Sequence, residues 1–161
     1  MNKMINIAVV GLGQVGIYLL NELNSKKKDI EIKTGKKIKV VAVSAKNINK
    51  KRQFKFDKKL FYKNPLDILK KHQVDILFEA IGQSDGISKK IVEAALKSGA
   101  HVITPNKALI SKHGNTLSKL AEKNNVNLEF EASVAGGIPI VKTIKEGLAT
   151  NQFNKVYGIL N

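Results

Sequence analysis

The chain has no cysteine and no tryptophan, and Arg52 is its only arginine. Lack of cysteine excludes disulfides, thiolate nucleophiles and thiolate metal sites, and is compatible with a reducing cytosol. The three histidines, His72, His101 and His113, fall at no ligand spacing and are expected at the surface or at strand edges. No long hydrophobic run exists either. The apolar N-terminal stretch after Lys3 is broken by Asn6, Gln14 and three glycines, and no small-residue cleavage site follows it. That excludes a signal peptide or membrane span there, and makes cytoplasm the expected location. Acidic residues are scarce, 13 against 28 basic ones, for a net charge of +15. Such an excess invites a nucleic-acid reading. Against it, nearly all of the charge is lysine, scattered in short runs, and the aromatics do not interleave with it as a stacking platform would. The charge is therefore read as a solvated surface, with non-specific polyanion binding at low salt as a side effect and no specific nucleic-acid partner.

What is present is enough for one domain. The 161 residues, 43% of them hydrophobic, allow a proper core, and no repeat or low-complexity linker divides them, so 1–161 is read as one unit. Apolar runs alternate with amphipathic stretches, which implies an α/β fold: a doubly wound, mostly parallel sheet of Rossmann type with helices on both faces. Strands are expected at Ile5–Val10, Ile38–Ser44, Asp75–Ala80, His101–Ile103 and Asn127–Glu131, with a further one at Lys155–Leu160. Helices are expected near Val15–Lys26, Leu66–Lys71, Ser88–Ser98, His113–Asn124 and Pro139–Ala149, with Gly99 as a C-terminal cap. Asp29–Lys37 reads as a polar extension and Lys46–Lys59 as a long basic loop.

The most specific local pattern is Gly11-Leu12-Gly13-Gln14-Val15-Gly16, after the apolar run Ile5–Val10 and before helically spaced Val15, Tyr18, Leu19 and Leu23. In that context the glycines suit a dinucleotide pyrophosphate: Gly11 for the tight turn, Gly13 for close backbone approach, Gly16 for helix–strand packing. The helix N-terminus adds unpaired N–H groups and partial positive charge. A strand–turn–helix that merely needs glycine is the plainer alternative, and the flanking pattern favours the binding one.

Ligands of such sheets lie at the carboxyl ends of the strands, so the following loops are the candidates. Ser44-Ala45-Lys46-Asn47 lacks the acidic residue that grips a ribose 2′-hydroxyl. Lys46, with Lys50, Lys51 and Arg52 nearby, would instead attract a 2′-phosphate, which points to NADP, with NAD as the alternative. Gly82 belongs to a small-residue loop, Ala80–Gly86, past which a ribose would run; Asp85 and Ser88 there read as helix N-caps. Thr104 and Lys107 follow the strand at 101–103, where an ammonium could hold a carboxylate or a pyrophosphate. Gly136-Gly137 before Pro139 makes a backbone-rich loop able to ligate a hard monovalent cation. Glu131 is either a site carboxylate or a cap.

Four segments, Gly11–Gly16, Val41–Lys46, His101–Leu109 and Glu131–Lys142, occur in an order that resembles homoserine dehydrogenase, and the likeness continues through Glu146–Asn151 and Gly158–Asn161. The resemblance implies NAD(P)H-dependent reduction of L-aspartate 4-semialdehyde to L-homoserine, on the route to threonine, isoleucine and methionine. It implies pyrophosphate binding at Gly11–Gly16, a 2′-phosphate at Lys46 (an arginine in many relatives), and Lys107 beside nicotinamide and substrate. It further implies a sodium ion held by backbone carbonyls of Glu131, Val134, Gly136 and Ile138. Pro105 replaces a more usual alanine. In the family, the segment after Asn161 leads into a substrate domain carrying the homoserine ligands, the proton-donating lysine and most of the dimer interface. The resemblance therefore implies the nucleotide-binding portion of a homo-oligomeric enzyme, with little turnover by itself. A stand-alone NAD(P)-responsive regulatory module is the alternative.

Overall fold

The structure, a computed structural model, describes residues 4–50 and 56–158. Among these, strands β1 (Met4–Val10), β2 (Lys37–Ser44), β3 (Phe61–Tyr62), β4 (Ile76–Glu79), β5 (His101–Ile103) and β6 (Leu128–Glu129) form a parallel sheet in the order β3-β2-β1-β4-β5-β6. The helices are α1 (Gln14–Ser25), α2 (Lys27–Thr34), α3 (Leu66–Lys71), α4 (Ile87–Lys97), α5 (Lys107–Lys123) and the short α6 (Ile140–Lys142), which runs into a wide helical turn over Thr143–Gly147. The α/β, Rossmann-type sheet expected from the sequence is the one observed.

A parallel sheet buries both faces, so its central strands can be apolar throughout, as β1 and β2 largely are. On one face Val10, Leu77 and Val102 pack under Ile91 of α4 and Leu117 of α5, with Ile68 of α3 beside them. On the other, Ile7, Val9 and Val43 meet Leu20 of α1 and half-buried Ile30 of α2. The β1–β2 register slips between Ile7 and Ala8, whose partners are Val40 and Ala42. Val41 is thereby an extra residue, and Val41 and Ala42 both join the α4–α5 face instead of alternating.

Chain order reverses at β1, which has β2 on one side and β4 on the other. That is a topological switch point, where helices leave the sheet in opposite directions and open a crevice at the carboxyl ends. Val10 pairs with Ser44 and with Glu79, so these three residues share one level along that edge.

Several expected boundaries change. The polar stretch Asp29–Lys37 is mostly helix α2: its Gly35 cap is left-handed at φ 65°, and Glu31 Oε1 accepts the Ile38 N–H at 3.1 Å. It has no buried residue and Ile32 is exposed, so no apolar stripe marked it as a helix. The further strand expected at Lys155–Leu160 does not form over 155–158, residues 159 and 160 lie outside the described residues, and the sixth strand is β3 instead. At two residues, β3 is too short to carry a period. Helix α5 begins at Lys107 rather than near His113, because the Asn106 side chain caps it by accepting the Leu109 N–H at 3.1 Å. The stretch at Pro139–Ala149 divides into α6 and the wide turn. Gly99 is the left-handed C-terminal residue after α4 as expected, at φ 84°.

Leu77 is fully buried in the larger apolar cluster. Leu77→Ala should lower the free energy of unfolding by about 2–5 kcal/mol in urea titration, since the removed atoms leave a cavity that β4 cannot collapse into.

Candidate dinucleotide site

At the end of β1 three backbones converge. Gly11 N–H donates to the Ser44 carbonyl at 2.9 Å, and Ala80 N–H donates to the Val10 carbonyl at 2.7 Å. Gly11 is left-handed at φ 95°, and a Cβ there would overlap the Ala80 carbonyl. A Cβ on Gly16 would overlap the Gly11 carbonyl oxygen. The fold therefore requires both glycines by contact. Gly13 differs: its backbone is extended (φ −78°, ψ −164°) and a Cβ would meet nothing within 4 Å. Neither its conformation nor its neighbours call for glycine. It is the N-terminal cap residue of α1, faces the crevice, and no side chain caps that helix or places an acid in its first turn. The positive end of α1 is thus offered to the crevice.

The crevice has a volume of about 670 Å³. Gly11, Leu12, Gly13 and Lys46, expected from the sequence, line it together with Ser44, Asn47, Lys50, Lys63, Ala80, Ile81 and Gln83. Among the described residues three lysines and no acidic residue face it, so its field favours an anion. Lys63 escaped the sequence reading because it follows β3, the strand too short to recognise; Lys51 and Arg52 lie outside the described residues. Gln14, Val15 and Gly16 continue into α1 behind the bend, where Gly16 is buried and Gln14 and Val15 are exposed.

The β4–β5 side of the edge is organised differently. Gly82, at φ 86°, lies in the loop after β4 and is exposed. Lys107 is exposed on the first turn of α5. Neither it nor Gly82 is part of the crevice lining, and Thr104 is fully buried. The Thr104 hydroxyl donates to Glu79 Oε2 at 2.6 Å. Glu79 itself, in the apolar strand Ile-Leu-Phe-Glu, has no exposed surface. Its other oxygen accepts from the Ile81 N–H and the Ser88 hydroxyl, both at 2.7 Å. An acid at the end of an otherwise apolar strand was the available signal for this carboxylate.

The N-cap roles expected of Asp85 and Ser88 are not observed. Gly86 stands at the N-cap of α4 with no side-chain bond, and Ser88 is turned inward to Glu79. Asp85 reaches across to α5, where Lys112 Nζ lies at 2.7 Å and His113 Nε2 at 2.9 Å. The hydrogen bond from Lys112, then those from Ser84 and His113, hold its carboxyl well below the ordinary carboxylate value of 3.8. A lowered pKa means that this latch keeps its charge where a free carboxylate would take up a proton, and is lost only as pH falls further.

Glu131 acts as a cap: its two oxygens accept the Val141 and Lys142 N–H groups at 3.0 and 2.8 Å. Its backbone carbonyl accepts the Val134 N–H and that of Ile138 accepts the Ile140 N–H, which leaves each a second lone pair. Ala135, Gly136 and Gly137 are all left-handed, so this loop turns tightly in front of α6. Among the described residues no group of histidine or carboxylate side chains could hold a metal ion.

The parallel sheet, the glycine bend at its switch point and the cationic crevice define a dinucleotide-binding domain. A sequence model for the family described as "Homoserine dehydrogenase, NAD binding domain" matches residues 11–131, and the chain belongs to that family. It is similar to homoserine dehydrogenase of Neisseria gonorrhoeae (38% identical over 99% of this chain and 36% of that protein) and of Bacillus subtilis (33%, with the same coverage). Among solved structures it resembles homoserine dehydrogenase of Thiobacillus denitrificans, with a TM-score of 0.79 and 35% identity over 92% of this chain and 34% of that one. The Staphylococcus aureus enzyme crystallised at pH 7.5 gives 0.76 and 34% over 83% and 34%. The chain thus spans about a third of the length of these relatives. Its cofactor class is a nicotinamide dinucleotide. No helix among the described residues is long and apolar enough to cross a membrane.

The glycines differ in what the fold asks of them. Gly11→Ala should cost more than about 3 kcal/mol of stability in chemical denaturation, combining left-handed strain with backbone overlap. Gly13→Ala should change stability by less than about 1 kcal/mol yet weaken dinucleotide binding on the order of tenfold in calorimetric titration, because its methyl group would occupy the crevice.

Proposed function

We propose that this chain is the cofactor-binding portion of a homoserine dehydrogenase, holding NADP(H) for reduction of L-aspartate 4-semialdehyde to L-homoserine. The observation that carries this reading is Gly13: a glycine that the fold does not need, placed at the open end of α1 and facing a crevice lined by lysines. The pyrophosphate would lie against the Gly11–Gly16 bend, its charge met by the N–H groups of α1. Lys46, Lys50 and Lys63 stand at the β2–β3 side, where the adenosine ribose would lie, and favour a 2′-phosphate over a free hydroxyl. When bound, the dinucleotide supplies the hydride.

The chain's own residues bind and orient. Lys107, exposed at the start of α5, would stand beside the nicotinamide and the aldehyde substrate. Carbonyls of Glu131, Val134, Gly136 and Ile138 would give a sodium ion their remaining lone pairs and stiffen the loop before α6. By the family resemblance, the proton for the substrate oxygen would come from a lysine of the substrate domain, in a homo-oligomeric enzyme.

Titration with NADPH and NADH tests this. The expected result is tighter binding of NADPH by at least about tenfold, reduced to near parity in a Lys46→Ala, Lys63→Ala double variant. Turnover of L-aspartate 4-semialdehyde by the 161-residue chain should be at background. Equal affinity for both dinucleotides would overturn the NADP assignment, absence of binding the cofactor role, and rapid turnover the partial-site role.

A further inference from the structure

Glu79 is a buried carboxylate with no cationic partner: among the described residues it makes no ion pair, and it has no exposed surface. Leaving such a group away from water is costly unless hydrogen bonds replace the lost hydration. Here they do, and their origins are informative. Ile81 N–H belongs to the loop after β4, and Ser88 to the first turn of α4. Thr104 belongs to the loop after β5. Asn106, the cap of α5, extends the set: its amide nitrogen donates to the Gln83 carbonyl at 2.8 Å and lies 3.3 Å from Glu79 Oε2. The Asn106 backbone N–H donates to the Thr104 hydroxyl at 3.0 Å. Ser88 and Thr104 are fully buried, and Asn106 is 4% exposed. One acid therefore gathers the two loops that flank the carboxyl edge on the far side of β1 from Lys46.

We infer that Glu79 is a positioning residue: its carboxylate locks the loop at 80–86 against that at 104–107, setting where Gly82 and Lys107 stand along the nicotinamide half of the site. This rests on the dinucleotide reading given above. Every neighbour named is a donor to Glu79, so an acceptor-only group suits the position. Glutamine has nearly the same shape but must turn an NH2 group toward donors, and at Oε2 it would face the Asn106 amide. The lock would loosen while the apolar core around β4 stays filled. The adenosine half, over β2 and β3, is set chiefly by the loops after those strands, and shares with the loop at 80–86 only the crevice wall at Ala80, Ile81 and Gln83.

The test compares Glu79→Gln with the unaltered chain. NADPH should bind roughly tenfold more weakly to the variant, and 2′,5′-ADP, which lacks the nicotinamide half and meets the loop at 80–86 only along one crevice wall, should lose less, about threefold. Amide hydrogen exchange without ligand should accelerate at 81–86 and 104–109 and keep its protection in β1 and β2. Equal losses for both ligands with exchange raised throughout would reduce Glu79 to a core residue and overturn the inference, as would no change in either. Should Glu79→Gln fail to fold, Ser88→Ala removes one donor without touching the carboxylate. It should show the same exchange pattern and a smaller NADPH loss, about threefold, whereas protection unchanged in both loops would overturn the inference. If the unaltered chain binds neither ligand, the dinucleotide reading fails, and exchange in the two loops still decides whether Glu79 locks them.

Discussion

Three backbones meet at the end of β1 with no space between them for a methyl group. The Ala80 carbonyl occupies the position of a Gly11 side chain, and the Gly11 carbonyl that of a Gly16 side chain. Because both overlaps are with backbone, no rotamer change could relieve them. The constraint sets the distance between the first strand, its helix and the loop after β4. The crevice, the exposed mouth of α1 and the level of Ser44 and Glu79 beside Val10 all follow from that packing. The glycine bend is in this sense a by-product of how tightly α1 is laid on the sheet.

The two sides of β1 use opposite electrostatic means. Toward β2 and β3 the edge is lined by exposed lysines, suited to attract and screen an anion rather than to hold a fixed geometry. Toward β4 and β5 the charge is a buried carboxylate enclosed by neutral donors, each at short range. Such a satisfied network is directional and shielded from salt, so it contributes rigidity rather than attraction. A dinucleotide lying across β1 would be drawn in on one side and placed on the other.

Much of this was legible in the sequence. The apolar run into Gly11-x-Gly13-x-x-Gly16 and the helical spacing after it identify β1, the bend and α1, since a parallel strand and a helix differ in period and the glycines mark the change. Lys46 was visible as a cation where an acid is expected. Other elements left no such trace. Helix α2 buries none of its residues, so no apolar stripe distinguishes it from a polar loop. Strand β3 is two residues long, and Lys63 reaches the crevice only because β3 pairs with the end of β2. Asp85 and Ser88 sit where capping residues belong, yet partners on α5 and β4 claim both side chains.

Local order along the chain determined the class of fold and the place of its glycine bend, because hydrophobic period and glycine spacing are properties of neighbouring residues. Tertiary structure alone decided which glycines the fold requires and which it does not, since that depends on what a missing Cβ would strike across the sheet. It alone decided that Glu79 turns inward to gather Ser88, Thr104 and Asn106, residues brought together only when β4 and β5 pair. Contacts between segments far apart in the chain have no spacing rule, and a buried carboxylate is made tolerable by whatever donors the fold happens to bring to it.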